Sequence, residues 1–142
     1  MVAKFVERRA GKVNEEKARE LLQDVNYFGT MLVYMGEVEG LVSGAIHSTG
    51  DTVRPALQII KTKPGVSRTS GAFIMSRNAS RFIFADCAIN TSIDAQGLAE
   101  IAVESAKTAK AFNINPKVAM LSFSTYGSAK TEETLKVAEA TK

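Results

Sequence analysis

Hydroxyl, glycine and arginine residues that can bind an anion are concentrated in one stretch, Ser43-Gly-Ala-Ile-His-Ser-Thr-Gly-Asp-Thr-Val-Arg54. The pattern predicts a strand, a turn of small hydroxyl residues and then a helix. The first turn of a helix has unpaired N–H groups and a partial positive charge, which suit phosphate. Arg54 adds a permanent cation whose planar fork matches phosphate oxygens. We therefore predict that Arg54 binds a phosphate group together with hydroxyl side chains, namely those of Ser43, Ser48, Thr49 and Thr52.

The same residues also have a purely structural interpretation. Ser48, Thr49 and Asp51 are typical helix caps, and Arg54 is then a solvated surface residue. The Gly-x4-Gly-Lys spacing of a P-loop is absent, so no nucleotide-binding motif decides between the two interpretations. His47 is expected to be a hydrogen-bonded turn residue rather than a catalyst.

A second turn of this kind is Ser122-Phe-Ser-Thr-Tyr-Gly-Ser-Ala-Lys130, which also precedes a predicted helix. Gly127 allows the backbone to approach a ligand closely, and Lys130 can meet a phosphate of a nucleotide-like cofactor. We predict that the cofactor is bound by residues of this turn, namely Ser124, Thr125, Gly127 and Lys130. Such turns are also common without a ligand, so a structural turn is the alternative.

Cysteine and histidine are too few for several other kinds of site. The single cysteine, Cys87, excludes an internal disulfide framework, and the single histidine argues against a zinc site, so no metal requirement is expected. Cys87 lies in an apolar stretch and is expected to be a buried, inert thiol. Arg8, Arg9 and Lys12 form a small basic cluster that is expected to be the solvated end of a helix.

Helical periodicity predicts the elements that position these residues. Helices are expected over residues 1–9, from Asn14 as N-cap, over 27–35 with Gly36 at the end, from Asp51 to about Lys63, from Asp94 to about Asn113, and from Thr131 onward. Pro55 is expected in the first turn of its helix, where a missing N–H costs little. The last helix reaches the final residue without a stop signal, so we expect a piece of a longer protein.

Buried strands are predicted over 40–46 and 117–123, and a hairpin is predicted over 69–76 and 81–89 with its turn around Asn78. The run that contains Phe82 and Phe84 is apolar on both faces, as in a central strand. The alternation of strands and helices after residue 40 predicts a layered α/β fold. A change in composition near 64–68 marks the predicted boundary between two domains, 1–66 and 67–142.

The net charge of +3 is mildly basic and suits a small anionic substrate. No block of like charges and no nucleic-acid-binding motif occurs, so a nucleic-acid partner is not expected. No apolar run approaches the ~18 residues of a membrane span, and no signal peptide opens the chain. We therefore expect a cytoplasmic protein without a membrane partner.

Several long segments follow one another in the order found in one enzyme family: Phe5-Val-Glu-Arg-Arg, Tyr27-Phe-Gly-Thr-Met-Leu-Val, Gly40-Leu-Val-Ser-Gly-Ala-Ile-His-Ser-Thr, Asp51-Thr-Val-Arg-Pro-Ala-Leu-Gln-Ile-Ile-Lys-Thr, Phe84-Ala-Asp-Cys-Ala-Ile-Asn and Val118-Ala-Met-Leu-Ser-Phe-Ser-Thr. On these segments the chain resembles the phosphate acetyltransferase (phosphotransacetylase) family almost continuously from residue 1 to residue 142.

The resemblance implies a two-domain α/β enzyme, longer than this chain, with a layered α/β/α fold like that of the isocitrate and isopropylmalate dehydrogenases. It implies a homodimer, an active site in the cleft between the domains, and transfer of an acetyl group between acetyl phosphate and coenzyme A. The turn at His47 and the Arg54 side chain are then implied to hold the phosphoryl end of acetyl phosphate. Arg9 matches a family arginine that lines the same site, whereas Arg8 departs from the commoner apolar residue there.

The resemblance also implies direct acyl transfer, in which the coenzyme A thiol attacks the acetyl carbonyl while Arg54 and Arg9 hold the phosphate. The family's C-terminal Pro-Val-Asn-Asp-Leu-Ser-Arg-Gly segment, with the proposed base shortly after it, is absent here, so the chain alone is not expected to turn over. Three alternatives stay open: an enzyme that uses butyryl phosphate, a non-catalytic fragment that keeps the fold, and a dehydrogenase of the same fold. The lack of a metal-binding carboxylate cluster argues against the dehydrogenase.

Overall fold

The computed structural model describes residues 1–142, which fall into two units, Met1–Lys63 and Pro64–Lys142. The first unit contains the helices α1 (Val2–Arg9), α2 (Glu15–Leu21), α3 (Val25–Met35) and α4 (Thr49–Ile59). The second unit contains the strands β1 (Gly71–Arg77) and β2 (Ser80–Cys87), followed by the helices α5 (Ala95–Ala111) and α6 (Glu132–Thr141). None of these helices is both long enough and apolar enough to cross a bilayer.

The core of the first unit is formed by apolar side chains from its helices and from the turn before α2. Its buried members are Phe5, Val13, Ala18, Tyr27, Met31 and Ile59. The rings of Phe5 and Tyr27 lie with their centroids 6.0 Å apart, and the phenol of Tyr27 donates a hydrogen bond to Oε1 of Gln58 at 3.0 Å. These contacts hold the C-terminal part of α4 against α1 and α3.

Capping side chains begin the helices at the predicted places in three cases. The side chains of Asn14, Asp94 and Thr131 accept hydrogen bonds from backbone amides of the first turns of α2, α5 and α6. The helix predicted over 27–35 is confirmed as part of α3, and it ends at Gly36, whose φ of 74° lies in the left-handed region that glycine adopts without strain. Short-range capping chemistry therefore sets most of the helix boundaries.

Helix α4 differs from the prediction at both ends. Ser48 rather than Asp51 is its N-cap, because the Ser48 hydroxyl accepts the backbone N–H of Asp51 at 3.1 Å. The helix ends before Lys61, whose φ of 68° breaks the helical path, and not near residue 63. Pro55 lies in the second turn rather than the first, and its ring is buried. Burial of the ring offsets part of the cost of the missing backbone donor.

The predicted hairpin is confirmed. Strands β1 and β2 are antiparallel, and Phe73 is paired with Phe84 and Met75 with Phe82. Asn78 has a φ of 52° in the turn between the strands. The expectation that β2 is a central strand is wrong within this chain, since β1 is its only neighbour and the sheet has two strands.

The strands predicted over 40–46 and 117–123 are wrong, because both segments are irregular in the structure. Their apolar side chains face solvent, with Val42 101% and Leu121 85% exposed. A strand needs a hydrogen-bonding neighbour. The first unit contains no strand, and 117–123 is paired with neither strand of the hairpin. The α/β class is confirmed, whereas the layered sheet of the dehydrogenase type is not seen in this chain.

In the second unit, α5 packs against β2 and α6, with Ile101 and Ala109 buried along the helix. The segment before β1 is tied to α5, because the hydroxyl and the amide of Ser67 both donate to the carboxylate of Glu100 at 2.5 Å. These two hydrogen bonds hold the pKa of Glu100 below its ordinary value, and the bond from the Ser67 hydroxyl makes the larger contribution.

Candidate functional site

The first candidate site is the N-terminal end of α4. The Ser48 hydroxyl caps the helix and donates to Oδ2 of Asp51 at 2.7 Å. The Thr52 hydroxyl donates to the backbone carbonyl of Ser48 at 3.0 Å. The turn is thus fixed by its own hydroxyl groups, as expected for serine and threonine beside a helix start.

Two backbone donors stay unused at this helix end. The amides of Asp51 and Thr52 are bonded to the side chain and the carbonyl of Ser48. The amides of Thr49 and Gly50 precede them in the helix and have no hydrogen-bond partner. Such free N–H groups, at the positive end of a helix dipole, favour a bound anion.

The guanidinium of Arg54 lies at the same helix end. Its Nη1 donates to Oδ1 of Asp51 at 3.3 Å, in an ion pair whose side chains are 58% and 52% exposed. Its Nη2 is 3.7 Å from the point where a Cβ atom on Gly50 would lie, and the Ser48 hydroxyl is 3.8 Å from that point. The structure therefore brings the Arg54 guanidinium and the Ser48 hydroxyl within 4 Å of one point beside Gly50, where a phosphate oxygen could meet both. Asp51 at the same place is a carboxylate that competes with any bound anion.

Ser43 and Thr52 stand beside this end of α4 but use their hydroxyl groups internally. The Ser43 hydroxyl donates to Oδ1 of the buried Asn26 on α3. A Cβ atom on Gly44, whose φ is 106°, would lie 3.8 Å from Oγ1 of Thr52, so the chain passes close to the first turns of α4. Ser43 and Thr52, which were predicted to be ligands, therefore lie near the site, where their hydroxyl groups stabilise the surrounding backbone and side chains.

Arg9 lies at the opposite end of α4. Its Nη1 donates to the carbonyl of Gln58 at 3.1 Å, and its Nε is buried without a partner. The neighbouring Arg8 donates to the carbonyls of Ile59 and Ile60. Ten residues of helix, about 15 Å, separate Ser48 from Gln58. The structure does not bring Arg9 together with Arg54, and a direct contact of Arg9 with the phosphate stays a prediction.

The second candidate site, the turn at 122–130, is closed by its own hydrogen bonds. The Ser124 hydroxyl accepts the amide of Ala129 at 3.1 Å, and the Ser128 hydroxyl accepts the amide of Thr125 at 3.1 Å. Gly127 has a φ of 77°, in keeping with its place in a tight turn. The Thr125 hydroxyl and the Lys130 ammonium take part in none of the side-chain bonds of this turn, so they are the groups here that a ligand can reach.

Sequence reasoning overlooked Gly50 and Asn26. The glycine at position 50 could have indicated a binding site. Glycine destabilises a helix, and it is often found where a ligand must come close to the backbone. No local pattern marks Asn26, which is 1% exposed and leaves its Nδ2 without a partner. Its role in holding Ser43 depends on a contact across 17 residues of sequence.

The remaining reactive residues stand apart from these turns. Cys87 is half-buried at the end of β2, and its thiol donates to the carbonyl of Phe84 at 3.2 Å. No group of three or more His, Cys, Asp and Glu side chains is arranged to hold a metal ion. That no metal is required stays a prediction.

Comparison with known proteins agrees with the resemblance seen in the sequence. The family model described as phosphate acetyl/butaryl transferase matches residues 1–142. The phosphate acetyltransferase of Staphylococcus epidermidis is 71% identical over 142 residues, which are 100% of this chain and 43% of that protein. The phosphate acetyltransferase of Staphylococcus aureus is 70% identical over the same span.

Solved structures agree with these sequence matches. The EutD phosphotransacetylase from Staphylococcus aureus has a TM-score of 0.86 and 70% identity, over 98% of this chain and 42% of that one. A phosphotransacetylase from Streptococcus pyogenes has a TM-score of 0.90 and 64% identity, over 99% of this chain and 44% of that one. The chain thus spans less than half the length of these relatives, and it belongs to the phosphate acetyl/butaryl transferase family.

Proposed function

We propose that a full-length protein containing this chain transfers an acetyl group between acetyl phosphate and coenzyme A, and that the N-terminal end of α4 holds the phosphate. The observation that carries the proposal is the position of Arg54, whose Nη2 lies beside Gly50 and the Ser48 hydroxyl. Family membership over the whole chain supplies the reaction class.

The donors at α4 suit a doubly charged phosphate. Arg54 uses Nη1 on Asp51, which leaves Nη2 and Nε to donate to phosphate oxygens. The free amides of Thr49 and Gly50 supply two further donors that need no side-chain reorganisation. Asp51 orients the guanidinium and the Ser48 hydroxyl, and its own negative charge limits affinity for the anion. The lower affinity makes release of the phosphate product faster.

Acetyl transfer then proceeds in one displacement. The coenzyme A thiolate attacks the acetyl carbonyl carbon, the new C–S bond forms, and the bond from that carbon to the phosphate oxygen breaks. The electron pair of the broken bond stays on the phosphate, whose growing charge Arg54 and the α4 amides offset. Holding the acyl phosphate in one orientation also removes much of the entropic cost of the encounter. The base that deprotonates the thiol is proposed to lie outside this chain.

The other predicted ligands enter the proposal with different roles. Thr49 is proposed to bind the phosphate through its amide, whereas Ser43 and Thr52 are proposed to keep the frame around it. Arg9 is retained as a proposed phosphate ligand on the strength of the resemblance alone, since its side chain is bonded at the C-terminal end of α4. Ser124, Thr125, Gly127 and Lys130 are proposed to bind coenzyme A, with Lys130 on a phosphate.

The remaining proposals rest on the resemblance and on composition. They are a homodimer, a cytoplasmic location, a reaction without a required metal, a division into domains at 1–66 and 67–142, and a dehydrogenase-like layered sheet in the full-length protein. Size measurement on the full-length protein tests the homodimer. Activity in the presence of EDTA tests the metal.

An assay of the full-length protein tests the reaction and its acyl preference. We expect acetyl-CoA to form from acetyl phosphate and coenzyme A, with a higher kcat/KM than for butyryl phosphate. A preference for butyryl phosphate would favour the second activity that the family description includes. No transfer from either acyl phosphate would overturn the proposed function.

A titration of the 142-residue chain with inorganic phosphate tests the site itself. We expect the amide NMR signals of Thr49 and Gly50 to shift. In Arg54→Gln the affinity should fall about tenfold or more, because a charge-assisted hydrogen bond is worth roughly 1.5–3 kcal/mol. Arg19→Gln is the matched control, since Arg19 is an exposed arginine of the same unit that pairs with Glu15 on α2. Equal losses in both variants would show only a non-specific effect of charge.

A further inference from the structure

The segment that leads from α3 to the N-terminal end of α4 is held by very few polar interactions. Residues 38–47, called here the connecting segment, form no backbone–backbone hydrogen bond. The segment has a single side-chain hydrogen bond, which the Ser43 hydroxyl donates to Oδ1 of Asn26 on α3. This one bond therefore ties the connecting segment to the helices of the first unit.

The carboxamide of Asn26 is unfavourable for the stability of the fold. Asn26 is 1% exposed, and its Nδ2 is buried without a hydrogen-bond partner. A buried donor without a partner destabilises the folded state, whereas an apolar side chain of similar shape has no such cost. Stability alone therefore does not explain an asparagine at this position. The one bond that its side chain forms is the bond to Ser43.

Two close approaches on either side of Ser43 place the connecting segment against α3 and α4. A Cβ atom on Gly29 would lie 2.8 Å from Cδ1 of Leu41, so the Leu41 side chain lies directly against the backbone of α3. One residue after Ser43, a Cβ atom on Gly44 would lie 3.8 Å from Oγ1 of Thr52 on α4. The position of Ser43 thus decides how the chain passes from α3 to the first turn of α4.

We propose that Asn26 is a positioning residue of the phosphate site at α4. Its bond to Ser43 fixes the path of the chain into the N-cap at Ser48, which follows after only four residues. The cap in turn places the free amides of Thr49 and Gly50. This inference rests on the proposed function, because it takes the phosphate site as given. Asn26 has no contact with the anion, and its whole effect passes through Ser43.

Two variants of the 142-residue chain break the same bond from opposite sides. Asn26→Leu keeps a side chain branched at Cγ and removes the buried, unpaired donor, whereas Ser43→Ala removes an exposed hydroxyl. Thr30→Val is the matched control, since Thr30 lies one turn further along α3, is 3% exposed and forms no side-chain hydrogen bond. We expect Asn26→Leu to unfold at the same urea concentration as the unaltered chain or at a higher one.

Two NMR measurements follow the turn and its ligand separately. Without phosphate, the heteronuclear NOE of the amides of residues 43–50 should fall by similar amounts in Asn26→Leu and Ser43→Ala and should not change in Thr30→Val. The double variant should lose no more than either single variant, because both changes remove one bond. With inorganic phosphate as the probe, the Kd should rise about threefold in both single variants, as for a turn that holds the competent arrangement a third of the time.

Two results would overturn the proposal. A lower unfolding midpoint in Asn26→Leu with an unchanged NOE at residues 43–50 would show that Asn26 serves only the core. A higher Kd in Ser43→Ala without a higher Kd in Asn26→Leu would make Ser43 a direct ligand of the anion.

Failure of the proposed function has a different signature. If the unaltered chain does not bind phosphate, the proposed site at α4 is wrong, and with it the role of Asn26 at such a site. The NOE measurements need no phosphate, so they decide independently whether Asn26 orders the turn.

Discussion

The turn that precedes α4 and the turn that precedes α6 have similar compositions but differ in the burial of their capping groups, since Thr134 is buried and Ser48 is exposed. Before α6, Thr131 and Thr134 cap each other reciprocally, and the buried Thr134 hydroxyl also donates to the carbonyl of Ala129. Before α4 the capping residue Ser48 is exposed. The amides of Thr49 and Gly50 have no partner there, and neither have those of Glu132 and Glu133 at the start of α6.

Charge separates the two turns as well. At α4 the guanidinium of Arg54 lies near the helix end, in an ion pair with Asp51. At α6 the first turn carries Glu132 and Glu133, which repel an anion from the helix end. The composition of a Ser/Thr-rich turn before a helix therefore does not show that the turn binds an anion. It becomes a candidate when a cation lies beside the free amides, as Arg54 does at α4.

Arg54→Ala in the full-length protein should have the largest effect. Loss of the guanidinium removes about 2–4 kcal/mol of transition-state stabilisation, so kcat/KM for acetyl phosphate should fall about 30- to 1000-fold. Steady-state assays measure the loss, with Arg19→Ala as the control of equal charge. Unchanged activity would remove the distinction between the two turns.

Thr134→Val should show that the α6 turn is structural. The change deletes a buried hydroxyl that accepts the Thr131 amide at 2.9 Å and donates to Ala129 at 2.9 Å. We expect a loss of about 1–3 kcal/mol in the free energy of unfolding, because buried partners are left unsatisfied. Urea unfolding followed through signals of the second unit measures it. A loss of coenzyme A affinity without a loss of stability would contradict the structural role.

Ser48→Ala should cost less than Thr134→Val, because the α4 cap is exposed to water. Removal of an N-cap serine costs about 1 kcal/mol, and solvent can replace the bond to the Asp51 amide. Urea unfolding of the first unit measures the change, with Ser48→Asp as a control that keeps an oxygen at the cap. A cost above that of Thr134→Val would reverse the comparison.

Gly50→Ala should separate binding from stability. A Cβ atom there meets only ordinary contacts, at 3.7 Å from Nη2 of Arg54 and 3.8 Å from the Ser48 hydroxyl. The helix should gain about 0.5 kcal/mol from the lower entropy of the unfolded chain. Phosphate affinity should fall, because the methyl group occupies the space beside the guanidinium. A variant that is more stable and binds phosphate equally well would place the anion elsewhere.

Lys130→Gln should have the smallest effect. A contact between an exposed lysine and a phosphate is worth about 0.2–1 kcal/mol, so the KM for coenzyme A should rise about fivefold or less, with kcat unchanged. The rise should shrink at higher salt because the contact is exposed to solvent. A larger, salt-independent rise would show that the turn before α6 is a ligand site equal to that before α4.

Local patterns predicted most elements of this chain, and the failures have one cause. Caps at Asn14, Asp94 and Thr131 and the hairpin around Asn78 depend on neighbouring residues, which the sequence displays. The strands expected over 40–46 and 117–123 depend on pairing partners far along the polypeptide. Composition cannot show whether such a partner is present in the chain.

The candidate site follows the same division. Arg54 and Ser48 lie within one helix, so their spacing predicted that they would meet. Arg9 was assigned by resemblance alone, and its position at Gln58 depends on how α1 packs on α4. The contact between Asn26 and Ser43 likewise follows from packing between distant elements and had no signal in the sequence.

The hydrogen bonds from Arg8 and Arg9 to the last carbonyls of α4 change the electrostatics of that helix. Those carbonyls form the negative pole of the helix, and two guanidinium groups neutralise it. The positive pole at Thr49 is left facing solvent with a third guanidinium beside it. An anion that approaches Thr49 therefore meets a helix whose positive end is free and whose negative end is neutralised by Arg8 and Arg9.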